Sequence, residues 1–166
     1  LGDIPPGSTV LLQKPMGRDL AEAMRILETC RTRALVAAVN FQLRFAPNML
    51  ALSDAIQRGN LGEITDVEIR VITHTPWSQW RFLAGIPKLE IVYHSVHYLD
   101  LVRSLFGEPC GVHGVALTDP SFEGFADTRS TMILVYDERL RCVVHTNHSH
   151  DFDRRHRASH VTVQGT

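Results

Sequence analysis

The feature that most constrains this chain is a change of period. Val67, Ile69 and Val71 alternate with Glu68 and Arg70, and the segments 112–118, 131–136, 141–148 and 160–164 read as strands in the same way. Alternation of this kind gives each strand one apolar face. Asp119-Pro120 and Asp137-Glu138 supply turn chemistry between them. Amid these strands lies one helical stripe, Leu99, Val102 and Phe106 within 95–106, which stops at Gly107 with Pro109 just beyond. Strands in succession after a single helix specify an α+β domain: a mixed, largely antiparallel sheet with helices on one face.

Upstream the pattern is different. Thr9-Val10-Leu11-Leu12 reads as a strand after the turn-like Pro5-Pro6-Gly7-Ser8. Asp19-Leu20-Ala21-Glu22 then opens a helix as a variant capping box, and Leu20, Met24, Leu27 and Cys30 form its apolar stripe. The continuous apolar run 34–39 has the composition of a buried parallel strand. Strand, helix and buried strand make a βαβ unit, placed where the chain is expected to begin inside a larger α/β domain. Pro47 occupies the first turn of a further helix carrying Met49, Leu52 and Ile56 and ending at Gly59.

Composition narrows the function classes. With 44% apolar and 21% charged residues over 166 positions, the chain can build a packed core. Lys and Arg number 17 against 18 Asp and Glu, which argues against a nucleic-acid partner, since that requires a concentrated basic face. No apolar run approaches the roughly 18–20 residues of a membrane span, and no signal peptide is visible. Three cysteines without a CxxC suit a reducing, cytoplasmic location.

Three local groups bear chemistry. Lys14-Pro15 stands at the carboxyl end of a strand in the α/β unit, where open sheets bind ligands. A lysine there offers a cation to a developing alkoxide, or is simply a surface lysine in a strand-to-helix loop. Tyr93-His94-Ser95-Val96-His97-Tyr98-Leu99-Asp100 leads into the 95–106 helix. At about 100° per residue, His94 and His97 are roughly 60° apart and flank the core stripe. Near a helix N-terminus the macrodipole disfavours the imidazolium, which suits a neutral general base. The third group is His145, His148, His150, His156 and His160 among nine histidines in all. No HExxH and no carboxylate at ligand spacing accompanies them, so they read as solvated or sheet-surface residues, with no metal expected.

Taken in order, these segments resemble the Gfo/Idh/MocA family of NAD(P)-dependent oxidoreductases. The resemblance is carried by Gln13-Lys14-Pro15, by the stretch from Val39 to Pro47 with Arg44-Phe45-Ala46-Pro47, by Gly59-Asn60-Leu61-Gly62-Glu63-Ile64, and by Tyr93 to Asp100. It implies a dehydrogenase moving a hydride between NAD or NADP and a sugar, polyol or related hydroxy compound. The implied catalytic residues are Lys14 and His97. Tyr93, His94, Trp80 and Arg81 are expected to bind substrate, and Gln13, Lys14, Pro15, Asn40 and Gln42 to approach the cofactor. Gln13 stands where the family has Glu, and Tyr93 stands where it commonly has Asp, so a carboxylate is absent at that position.

No Gly-x-Gly-x-x-Gly follows a strand, so the cofactor would be bound mainly by a part preceding Leu1. On this reading residues 1–45 are the C-terminal remnant of a dinucleotide-binding Rossmann domain, and 46–166 a truncated substrate and oligomerisation domain. The fragment alone is expected to be inactive. An open sheet face carrying Val115, Leu117, Ile133, Val135, Val143, Val161 and Val163 is expected to build a homodimer or homotetramer. A rival reading is a non-catalytic sheet domain for dimerisation or ligand sensing. His148 is expected to be dispensable for turnover.

Overall fold

The computed structural model describes residues 1–166, which divide into two compact units, Leu1–Gln42 and Leu43–Thr166. The first contains β1 (Thr9–Leu12), α1 (Leu20–Thr32) and β2 (Val36–Val39). β1 and β2 pair in parallel, Thr9 opposite Val36 and Leu12 opposite Val39. Asp19 caps α1: its carboxylate accepts the Glu22 N–H at 2.8 Å. The Glu22 carboxylate in turn accepts the Arg18 N–H at 2.7 Å, one residue earlier than a standard capping box would place it. The expectation of a buried parallel strand at 34–39 is corrected. Leu35 is buried, but Val36 is 65% exposed and Leu11 of β1 63% exposed. A single helix can cover only one face of a two-stranded sheet.

The second unit begins with α2 (Pro47–Gln57), whose Pro47 needs no N–H in the first helical turn. It continues with β3 (Ile64–Ile72), α3 (Val96–Phe106), β4 (Gly111–Leu117), β5 (Arg129–Val135), β6 (Arg141–Asn147) and β7 (Ala158–Gly165). The five strands form one sheet in the order β4-β5-β6-β3-β7. Only the β3–β6 pair is parallel; β4–β5, β5–β6 and β3–β7 are antiparallel. The fold is therefore α+β with a mixed, largely antiparallel sheet. Gly107 ends α3 at φ +79°, a conformation that residues with a Cβ rarely adopt.

Register decides which side chains meet. Val67, Ile69 and Val71 of β3 share a face with Met132 and Leu134 of β5 and with Cys142 and Val144 of β6, and Val102 of α3 packs on them. Each such burial stabilises by about 1.5–3 kcal/mol. Pairing of Val161 with Ile69 and Val163 with Val67 puts those two valines on the same helix-covered face. They are thus removed from the open face expected from sequence. Val115, Leu117, Ile133, Val135 and Val143 do share the other face, and Val115, Leu117 and Ile133 are exposed there.

A second core forms around Trp77, Leu83, Leu89 and Phe125, with Trp80, Ile86, Tyr93 and Phe122 packed against it. It gathers the segment 73–89, expected as a loop or short helix, which contains two short 3-10 turns, Trp77–Gln79 and Arg81–Leu83.

Candidate functional site

In the first unit the segment after β1 bends sharply before α1. The Lys14–Pro15 peptide is cis. Gly17 has φ +95°, and a Cβ there would approach the Ala23 nitrogen to 2.8 Å, so the loop closes against the start of α1 only because position 17 is glycine. Lys14 is half-buried, and desolvation pulls its ammonium pKa below the ordinary lysine value. At the carboxyl ends of β1 and β2, the Asn40 amide donates to Gln13 Oε1 at 3.3 Å. Gln42, further on, opens the 3-10 turn Gln42–Phe45 and is exposed.

In the second unit the Tyr93–Asp100 segment is helical throughout, but it is not the free helix start that the sequence suggests. Leu89 and Glu90 are already helical, and a five-residue π-turn, Ile91–Ser95, leads into α3. His94 lies inside the π-turn and His97 in the first turn of α3, both partly buried. The free helix N-terminus expected there is absent, because the preceding turn covers those amides. A π-turn widens the helix by one residue and is a common mark of functional helices. Three residues after His97, the Asp100 carboxylate is gripped at both oxygens by the Arg44 guanidinium, which pins the 3-10 turn Gln42–Phe45 to α3.

Aromatic packing brings part of the expected substrate set together. The Trp80 and His94 rings stack at 6.3 Å with planes 15° apart, and Trp77 meets both edge-on. Tyr93 packs beside them against the second core. Arg81 instead lines a separate cavity of about 550 Å³ with Ser78 and the loop from Ser121 to Phe125.

The C-terminal histidines disperse. His145 is on the open face, where Nδ1 meets Thr131 Oγ1 at 3.0 Å, and His156 and His160 are exposed. His150 packs on Phe152 at 5.4 Å. No group of three or more His, Cys, Asp or Glu is placed to hold a metal ion.

His148 is the exception that sequence reasoning missed. It is 6% exposed and its ring stacks on His94 at 4.0 Å. Its Nδ1 meets Thr75 Oγ1 at 3.0 Å and its Nε2 lies 3.7 Å from Glu90 Oε1. The signal was present: Cys142, Val144, Thr146 and His148 occupy alternate positions of one strand face, and three of them are core residues. Glu90 was missed as well. It is fully buried between Leu89 and Ile91, and burial raises its carboxyl pKa against the hydrogen bonds of Ser130, Ser95 and Thr146.

The family model for the GFO/IDH/MocA C-terminal domain matches residues 49–166. The chain belongs to the GFO/IDH/MocA family. It is 32% identical over 104 residues to the uncharacterized oxidoreductase YhhX of Escherichia coli strain K12, covering 62% of this chain and 30% of YhhX. Human trans-1,2-dihydrobenzene-1,2-diol dehydrogenase is 29% identical over 99 residues, covering 58% of this chain and 30% of that enzyme. Among solved structures, the WlbA dehydrogenase from Bordetella pertussis in complex with NADH and UDP-GlcNAcA aligns over 96% of this chain and 46% of its own. Its TM-score is 0.82 at 20% identity, a likeness of fold. The chain thus spans about a third of the length of the curated relatives it matches and under half of that solved chain.

Proposed function

We propose that the complete protein is an NAD(P)-dependent dehydrogenase transferring a hydride between the nicotinamide and a sugar, polyol or related hydroxy compound. The observation that carries this reading is the histidine helix: His97 lies in α3 three residues after His94, whose ring stacks on Trp80, and three residues further on Arg44 grips Asp100 of the same helix. That a named relative is a diol dehydrogenase, and that a chain of this fold holds NADH and a nucleotide sugar, supports the substrate and cofactor classes.

The donor set suits the cofactor. Gln13 and Asn40 present amides that both donate and accept, at strand ends in the α/β unit, and these fit a carboxamide; Pro15 and Gln42 flank them. When bound, nicotinamide supplies the hydride acceptor or donor. His97 takes the substrate hydroxyl proton as general base. Lys14, its ammonium already pulled down by burial, stabilises the oxygen as negative charge grows on it. Tyr93, His94 and Trp80 orient the substrate, Trp80 offering a flat apolar face to sugar C–H bonds, while Arg81 takes a more distal polar group. On this reading residues 1–45 complete a dinucleotide-binding domain and 46–166 form the substrate domain of a cytoplasmic enzyme.

A non-catalytic sheet domain is the second reading, favoured by the apolar open face. The two are separated by assaying the complete protein with NAD or NADP against a panel of polyols and sugar acids. Lys14→Ala and His97→Ala should each lower kcat by about 10²–10⁴-fold. Full turnover in both variants would overturn the catalytic assignment.

A further inference from the structure

We propose that Glu90 and His148 are positioning residues for His94: the carboxyl and the two imidazoles share one proton, and so set the charge of the ring beside the substrate helix. The geometry is a file of three groups from two parts of the second unit: Glu90 and His94 on the helical segment leading into α3, and His148 just after β6. Glu90 Oε1 lies 3.7 Å from His148 Nε2, and the His148 ring lies flat on His94, 4.0 Å between centroids and 24° between planes. Trp80 also stacks on the His94 ring, at 6.3 Å with planes 15° apart. The file is fixed from behind: Ser95 Oγ donates to Glu90 Oε1 at 2.8 Å, Thr75 holds His148 Nδ1, and the Trp77 indole N–H donates to the His148 carbonyl at 3.0 Å.

Charge counting gives the behaviour. A lone carboxylate is costly here, because Glu90 is wholly buried. Two imidazoliums stacked at 4.0 Å repel, so the second ring refuses a proton while the first holds one. One proton for three groups leaves the unit neutral. The other titratable groups facing it are few. Asp127 is committed to the Glu90 backbone N–H at 2.7 Å, and its charge adds to the pressure that keeps a proton within the unit. Tyr93 and His97 lie on the same helix, and His150 follows at the end of β6 with its Nε2 near the Asp153 carbonyl at 3.4 Å. The His74–Asp151 pair, 3.6 Å apart, stands toward solvent. Sequence spacing placed His148 among solvated or sheet-surface histidines; instead it is buried. The consequence for catalysis rests on the dehydrogenase reading, but the coupling itself does not.

The test is a pH titration of the histidine Cε1–Hε1 NMR signals in this chain, which needs no substrate. In the unsubstituted chain His94 and His148 should move in step, with a first midpoint above the ordinary value of about 6.5 and a second about two pH units lower. Glu90→Gln keeps the acceptor for Ser95 yet should lower the first midpoint of both rings by about one pH unit. In a His148→Gln background His94 should titrate in a single step that Glu90→Gln no longer moves. Independent single-step titrations, or a Glu90→Gln variant that leaves both rings unmoved, would overturn the proposal while leaving the dehydrogenase reading intact. Should His148→Gln fail to fold, Glu90→Gln alone decides the matter.

Discussion

Replacing Arg44 by Met should destabilise the second unit by about 2 kcal/mol. The Arg44 guanidinium holds both oxygens of Asp100, whose side chain is 8% exposed against 40% for Arg44. Removing one member of a fully buried pair costs about 3–5 kcal/mol, because the partner's charge is stranded, whereas an exposed pair contributes about 0–1 kcal/mol. One buried and one half-exposed partner put this pair between those limits. For a chain of this size the loss corresponds to a Tm lower by roughly 4–8 °C. The cost is mainly that of the stranded carboxylate. Adding Asp100→Leu to Arg44→Met should therefore recover at least half of it. Urea unfolding followed by tryptophan fluorescence is the suitable assay, since both tryptophans, Trp77 and Trp80, belong to this unit. A loss below about 0.5 kcal/mol, or a double variant no more stable than Arg44→Met, would refute the reasoning.

Glu90→Gln should gain stability relative to the unsubstituted chain as pH rises. A carboxyl whose folded pKa is raised binds its proton more tightly folded than unfolded. Its cost is absent below the unfolded value of about 4.3 and grows as pH climbs toward the folded one, by about 1.4 kcal/mol for each unit of separation. Urea midpoints at pH 4.5 and 8 check this, and a constant difference between the two proteins would refute it. The open sheet face predicts self-association of the complete protein: Ile133→Asp, in the middle of the face shared with Val115 and Val143, should shift sedimentation toward the monomer. An unsubstituted protein that sediments as a monomer at high micromolar concentration would refute it.

What could be read from sequence is what local chemistry controls. Asp19 caps α1, Pro47 starts α2 and Gly107 ends α3, because each acts on the backbone within a few residues of itself. Alternation in 67–71 and in the later strands likewise needs only the two-residue repeat of an extended chain. The family motifs are short and contiguous for the same reason.

The tertiary structure decided everything that depends on which strand lies beside which. Val161 and Val115 both alternate with polar neighbours, yet pairing with β3 turns Val161 toward α3, while pairing with β5 leaves Val115 on the open face. A shift of one residue in register would exchange them, and no local rule sets that register. The π-turn escaped detection because its extra residue leaves the helical composition of 89–106 unchanged. His148 met His94 only because β6 is hydrogen-bonded in parallel to β3. That pairing carries the end of β6 toward Thr75 and the second core, where a polar strand-end histidine becomes a buried partner of Glu90.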